Sequence, residues 1–187
     1  MMRPIKPDKE ISVSTIRIPA AGGAIPALVL SPKTGGKNAA GILWIHGGGY
    51  IAGMKEMVHA SRAVDLVRKF GAVVVSPGYR LAVLCPYPAA AEDCYSALIY
   101  MKNHVRELGI RRDQIMVGGE SAGGGLCAAV CLMSVSAGAA GTVIPAVKWE
   151  QQTRSTEYGN PISTHGFQVI EWNTAKYDYT GTWYRCE

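Results

Sequence analysis

Ser121 stands between Gly119-Glu120 and Ala122-Gly123, inside the glycine-rich run Val117 to Gly125. A serine hydroxyl is a weak nucleophile until a base takes its proton and donors await the charge that develops on its target. The surroundings of Ser121 suit the second requirement. Gln114 to Val117 is a short apolar run that reads as a buried strand. Leu126 to Met133 is an apolar stretch of good helix formers. A serine on the turn between such a strand and such a helix has the context of a nucleophile elbow. Glycines two residues to either side leave room for a turn sharp enough to lift the serine out of the sheet. The helix that follows aims N–H groups and a positive dipole end at the place where an oxyanion would form.

A second stretch with chemical potential lies upstream. His46-Gly47-Gly48-Gly49 closes the apolar run Ala39 to Ile45, which reads as a central strand of a parallel sheet. Three consecutive glycines let the backbone turn its N–H groups inward, as oxyanion donors must, with the Ala122 N–H as a further donor. A bare glycine turn or a phosphate loop would look similar. A Walker loop needs G-K-[ST] and a dinucleotide loop needs G-x-G-x-x-G, and neither spacing occurs here.

These two stretches need a scaffold, and the remaining periodicities supply one. Ile11 to Pro19 alternates with period two, Ala21-Gly22-Gly23 is a turn, and Ile25 to Ser31 is a second strand, so the chain opens with a hairpin. Val58 to Phe70 carries Ala60, Ala63, Val64, Val67 and Phe70 at helical spacing, with Gly71 as its stop. Ala72 to Pro77 is another buried strand. Ala89 to Leu108 is a second amphipathic helix, with Ala90, Cys94, Ala97, Leu98, Met101 and Val105 on one face. Strands alternating with helices imply right-handed crossovers and an α/β sheet. From Lys148 onward the periodicity fades. Val143 to Val147 reads as the start of a further strand and Phe167 to Trp172 as one more.

Composition excludes several classes. The 187 residues are 48% hydrophobic and 18% charged, which is ordinary for a folded domain. The net charge of +5 is carried by scattered residues, so a nucleic-acid partner is not expected. The first twenty residues have no apolar core of a signal peptide, and no apolar run is long enough to span a bilayer, so a cytoplasmic location is expected. Of the five cysteines, Cys127 and Cys131 lie four apart on the helix after the serine, where small thiols pack well. No C-x-x-C pair or His/Cys cluster with metal spacing occurs, so neither metal nor organic cofactor is expected.

Taken in order, His46-Gly47-Gly48-Gly49, Tyr79-Arg80-Leu81-Ala82, Pro86-Tyr87-Pro88-Ala89, Glu92-Asp93 and Gly118 to Gly124 are a specific set. Over residues 39–135 the chain resembles the hormone-sensitive-lipase-type (bacterial family IV) carboxylesterases of the α/β-hydrolase fold. The resemblance implies a mostly parallel central sheet with an N-terminal antiparallel hairpin and flanking helices, incomplete at the C-terminal end. The change of character near Lys148 divides the chain into an α/β-hydrolase core at 1–147 and a divergent C-terminal segment at 148–187. The resemblance makes Ser121 the nucleophile and Gly48, Gly49 and Ala122 the oxyanion donors, with Gly47 shaping the loop. His46 then supports the loop rather than acting as base, and Tyr79 and Arg80 brace the same region.

The chain departs from the family pattern in four places. Val83-Leu84-Cys85 follows Ala82 where the family has a Pro-Glu-His type of sequence, and Glu120 replaces an aspartate. The N-terminal cap helices are short or absent. In this fold the serine is followed by an acid and then a histidine. The family's His-Gly-Phe recurs as His165-Gly166-Phe167, which makes His165 the base, though it follows the serine closely. Glu150 and Glu157 lie between them, neither in the family's aspartate motif, and Glu157 is the weak candidate for the acid. His59 and His104 fall on helices as surface or packing residues.

The expected activity is hydrolysis of small acyl esters through an acyl-enzyme on Ser121. An amidase or peptidase would use the same machinery. A ligand-binding protein without turnover, or an inactive truncated form, is the rival from another class. Missing core strands would leave an open sheet edge, so a homo-oligomer is among the expected states.

Overall fold

A computed structural model describes residues 9–35 and 38–136, together with the backbone of 146–155 and 161–171. Five strands form one mixed sheet: β1 (Ile11–Ala20), β2 (Gly23–Pro32), β3 (Ala39–Ile45), β4 (Val73–Pro77) and β5 (Ile110–Gly119), in the order β1-β2-β4-β3-β5. β1 and β2 are an antiparallel hairpin in which Ala20 faces Gly23 across a two-residue loop. β2 joins β4 antiparallel, while β4, β3 and β5 run parallel. The opening hairpin and the parallel part of the sheet follow the expectation from sequence.

The period-two geometry of strands divides the core into two layers. Leu43, Ile45, Val73 and Val75 face α2 (Ala89–Asn103) and α4 (Ala122–Ser136), which contribute Cys94, Leu98, Met101, Leu126, Cys127 and Val130. Ile42, Trp44 and Val74 face the opposite side, where Val58, Ala63 and Val67 cover them. Strand β3 is apolar along its length and β4 is apolar but for Ser76, whose hydroxyl donates to the Lys55 carbonyl, because both faces are covered.

Two helices differ from expectation. The segment from Val58 to Phe70 is divided into a 3-10 turn at Lys55–Ala60 and helix α1 at Ala63–Phe70. The break lies at Ser61, whose hydroxyl donates to the Val58 carbonyl (2.8 Å) and accepts the Ala63 N–H (3.2 Å). A serine that satisfies the backbone in this way competes with a continuous helix. Phe70, the last residue of α1, is off the core and 74% exposed. The second helix stops at Asn103, with a short turn α3 (Val105–Leu108) after it. His104 ends α2: its ring stacks on Tyr100 and its Nδ1 lies 2.9 Å from the Tyr100 carbonyl. Gly71 stops α1 as expected, in left-handed conformation, with its N–H on the Val67 carbonyl and the Ala72 N–H on that of Leu66.

The chain after α4 forms a separate antiparallel pair, β6 (Ala146–Ser155) and β7 (Pro161–Glu171), with His165 opposite Gln151. The strand expected from Val143 thus begins at Ala146, and the one expected from Phe167 begins at Pro161. No helix among the described residues is long and apolar enough to cross a membrane.

Candidate active site

Ser121 lies at the carboxyl end of β5, directly before α4, and its side chain is exposed. Its backbone is left-handed, with φ 53°. Few residues with a Cβ adopt this region, and those that do cluster at functional turns. Local contacts hold it there. The Glu120 N–H donates to the Ile45 carbonyl (3.3 Å), while Gly123 and Gly124 donate to the carbonyls of Glu120 (2.9 Å) and Ser121 (2.8 Å). The two glycines flanking the serine are required by close approach. A Cβ on Gly119 would sit 2.6 Å from the Ile45 carbonyl oxygen, and one on Gly123 would overlap that oxygen. β3 therefore presses directly on the elbow.

That contact brings the second stretch to the first. Gly47 continues from β3 so closely over the elbow that an added Cβ would be 2.8 Å from the Glu120 oxygen and 3.2 Å from the Ser121 Cβ. Gly48 follows at φ 121°, and Gly49 at φ 62°. Among the described residues, the N–H groups of Gly48, Gly49 and Ala122 have no acceptor. The Ala122 N–H is one of the orphan donors that every helix start leaves. The sequence-predicted nucleophile and oxyanion loop are thus adjacent.

His46 is buried. Its ring stacks on Tyr79 with centroids 4.2 Å apart, and Nδ1 lies 2.7 Å from the Gly47 carbonyl. A carbonyl can only accept, so Nδ1 carries the proton and Nε2 is a buried acceptor with no partner among the described residues. Burial holds the His46 pKa below its ordinary value, so the ring is neutral. The Tyr79 hydroxyl donates to the His46 carbonyl (3.0 Å), and burial raises its pKa. Both residues therefore act as struts for the glycine loop.

Arg80 is fixed in turn by Asp93, which is fully buried. The carboxylate accepts from the Arg80 backbone N–H (2.9 Å), from Nε (2.9 Å) and from the terminal guanidinium nitrogen (2.8 Å). The carboxylate raises the Arg80 pKa. Asp93 was legible only as part of the Glu92-Asp93 match, with no role attached. Its signal was position: it lies three residues after Ala90 and four before Ala97, on the apolar face of α2, where a carboxylate needs a partner.

Tyr50 was not singled out by sequence either, yet it too has a left-handed backbone, with φ 66°. His59 sits on the 3-10 turn and His104 packs on Tyr100. The side chain of His165 and all of Glu157 lie outside the described residues. Cys94, Cys127 and Cys131 are buried between α2 and α4 as free thiols.

Comparison with known proteins agrees with this geometry. The sequence profile of an alpha/beta hydrolase fold family matches residues 42–178. The carboxylic ester hydrolase LipN of Mycobacterium tuberculosis is 36% identical over 129 residues, covering 68% of this chain and 34% of LipN. Bovine hormone-sensitive lipase is 34% identical over 111 residues, covering 59% of this chain and 15% of that protein. An esterase structure from Pyrobaculum calidifontis superposes with a TM-score of 0.63 at 38% identity, covering 68% of this chain and 41% of the other. The chain spans well under half the length of each of these three proteins. It belongs to the hormone-sensitive-lipase-type carboxylesterases of the α/β-hydrolase fold.

Proposed function

We propose that the chain is a serine carboxylesterase that hydrolyses small acyl esters through an acyl-enzyme on Ser121. The observation that carries this reading is the left-handed, exposed Ser121 with Gly47 packed against its turn. In the first step Ser121 Oγ attacks the ester carbonyl carbon and its proton passes to the imidazole of His165. The carbonyl oxygen becomes an oxyanion facing the N–H groups of Gly48, Gly49 and Ala122. Each such donor typically contributes ~2.7–4 kcal/mol to the transition state. Collapse of the tetrahedral adduct expels the alcohol, which takes the proton back from the imidazolium. A water molecule then repeats the sequence on the acyl-enzyme and releases the acid.

The choice of base is supported by the commitments of the other histidines. His46 is held on Gly47 and Tyr79, and His104 on Tyr100, while His59 lies on the 3-10 turn. His165, in the family's tripeptide, takes the role, with Glu157 as the candidate acid. Tyr79 and Arg80 brace the loop. A second reading, a hydrolase fold without turnover, is favoured by one fact: the matched part is only 34% of LipN.

Turnover of p-nitrophenyl acetate by the parent, Ser121→Ala and His165→Ala decides between them. The esterase reading expects activity in the parent and a loss of about 10³-fold or more in both variants, in line with the large loss when one triad member is removed. Activity lost only in Ser121→Ala would assign the base elsewhere. A parent without Ser121-dependent turnover would leave the second reading.

A further inference from the structure

Tyr50 connects the glycine loop to the helix behind the serine. It follows Gly49 directly, in a backbone conformation that a residue with a Cβ adopts only against a steric penalty. Its carbonyl accepts the Ala82 N–H at 2.8 Å, which ties it to the loop carrying Tyr79 and Arg80. The side chain reaches toward α4. A Cβ built on Gly125 would lie 2.5 Å from the Tyr50 hydroxyl and 3.7 Å from Cζ, so the ring end rests where Gly125 has no side chain. Gly125 lies in the first turn of α4, four residues beyond Ser121. The ring therefore spans from the residue after the candidate oxyanion donors to the first turn of α4, which follows the candidate nucleophile. It is 41% exposed, so the ring lies at the surface and is not part of the core.

From this placement we infer that Tyr50 is a specificity-determining residue. Its ring walls the substrate cleft on the Gly125 side and limits the length of the ester substituent that can lie along the first turn of α4. The inference rests on the esterase reading of Ser121 and narrows it to esters whose acyl or alcohol part has few carbons. The wall is stiff, because an aromatic side chain has only two rotatable bonds and the Ala82 hydrogen bond fixes its backbone. Gly125 has no side chain to fill the place of the ring end, so removing the ring would leave room beside the first turn of α4. Each additional methylene buried there would contribute roughly fourfold to kcat/KM, from about 0.8 kcal/mol per buried CH₂.

The test measures kcat/KM for p-nitrophenyl esters from acetate to octanoate, and for acetates of alcohols from methanol to hexanol. The proteins are the parent, Tyr50→Ala, Tyr50→Gly and Tyr50→Phe. Tyr50→Gly removes the ring while suiting the left-handed backbone, so it serves where Tyr50→Ala fails to fold. Expected is a rise of about tenfold or more in the long-to-short ratio of one series, in Tyr50→Ala or Tyr50→Gly, with the Tyr50→Phe ratio near the parent's. Gly125→Ala, which pushes on the ring, lowers the same ratio. Long-to-short ratios within twofold of the parent in both series, with Ser121-dependent turnover retained, would overturn the role of Tyr50 alone. Absence of Ser121-dependent turnover in the parent would overturn the esterase reading and this inference together.

Discussion

Replacing Gly47 with alanine tests the contact between the two halves of the site. Gly47 is not left-handed, so alanine is free to adopt its backbone and the effect of the methyl group is steric. That methyl group would stand 2.8 Å from the Glu120 carbonyl oxygen and 3.2 Å from the Ser121 Cβ. Ordinary contact at ~3.4 Å or more requires a retreat of about 0.6 Å, and tight packing resists it. The elbow is held by the Glu120-to-Ile45 and Gly123-to-Glu120 hydrogen bonds, so the glycine loop is what moves. A donor displaced that far from the oxyanion is largely lost, which is worth ~2.7–4 kcal/mol, or 10²–10³ in kcat. Overpacking also costs about 1–3 kcal/mol of stability. For a chain of this size that lowers Tm by roughly 2–12 °C. The assay is kcat and KM for p-nitrophenyl acetate beside a thermal melt. We expect kcat to fall by 10²–10³ with KM changed only a few-fold and a cooperative transition preserved. A kcat within threefold of the parent, in a folded variant, would refute the assignment of this loop to the oxyanion.

Two further perturbations address the struts behind the loop. Asp93→Ala leaves the Arg80 guanidinium without its buried carboxylate, a loss of ~3–5 kcal/mol for fully buried pairs. Arg80 is 27% exposed and regains some hydration, so about 3 kcal/mol is expected, and a Tm lower by roughly 6–12 °C. A fall of less than 2 °C would show that the pair contributes little. His46 gives a pH signature. Its folded pKa lies below the unfolded one, so between the two the unfolded chain binds more protons and stability falls with acidification. The window opens near pH 6.5 and runs downward, with a slope of at most about 1.4 kcal/mol per pH unit. Melts between pH 7.5 and 5 should show this slope in the parent and lose it in His46→Gln. An equal slope in both would assign it to other groups.

The strands of the parallel core were legible because each carries its own signal. Ala39 to Ile45 is an unbroken apolar run and Ala72 to Pro77 is apolar but for Ser76, as burial on both faces of the sheet requires, and β3 and β4 match them to within a residue. The helix breaks at Ser61 and His104 were not legible. There the decisive bonds are from side chain to backbone, and apolar spacing passes over them. The glycines at 47, 119 and 123 could be read as permitting a turn. What they accommodate, the Ile45 and Glu120 carbonyls and the Ser121 Cβ, belongs to tertiary packing. The roles of Asp93 and Tyr50 were not legible for the same reason: their partners, Arg80 and Gly125, are assigned only once the loops are in place.

The way the elbow is held separates its geometry from its chemistry. Ser121 is positioned by β3, by its own turn and by the start of α4, all within residues 39–136. His46, Tyr79, Arg80 and Asp93 tie the glycine loop to the same unit. None of these bonds involves the chain after α4, from which the proposed base must come. The proposed oxyanion loop and nucleophile are therefore held in register without bonds to a triad. The consequence is a clear partition of mutational effects. Gly47, Gly119 and Gly123 couple stability to activity, because the close approach that orients the serine also packs β3 against β5. A base drawn from the tail should affect turnover without moving the elbow, so His165→Ala should silence the enzyme while leaving the melt of residues 39–136 in place.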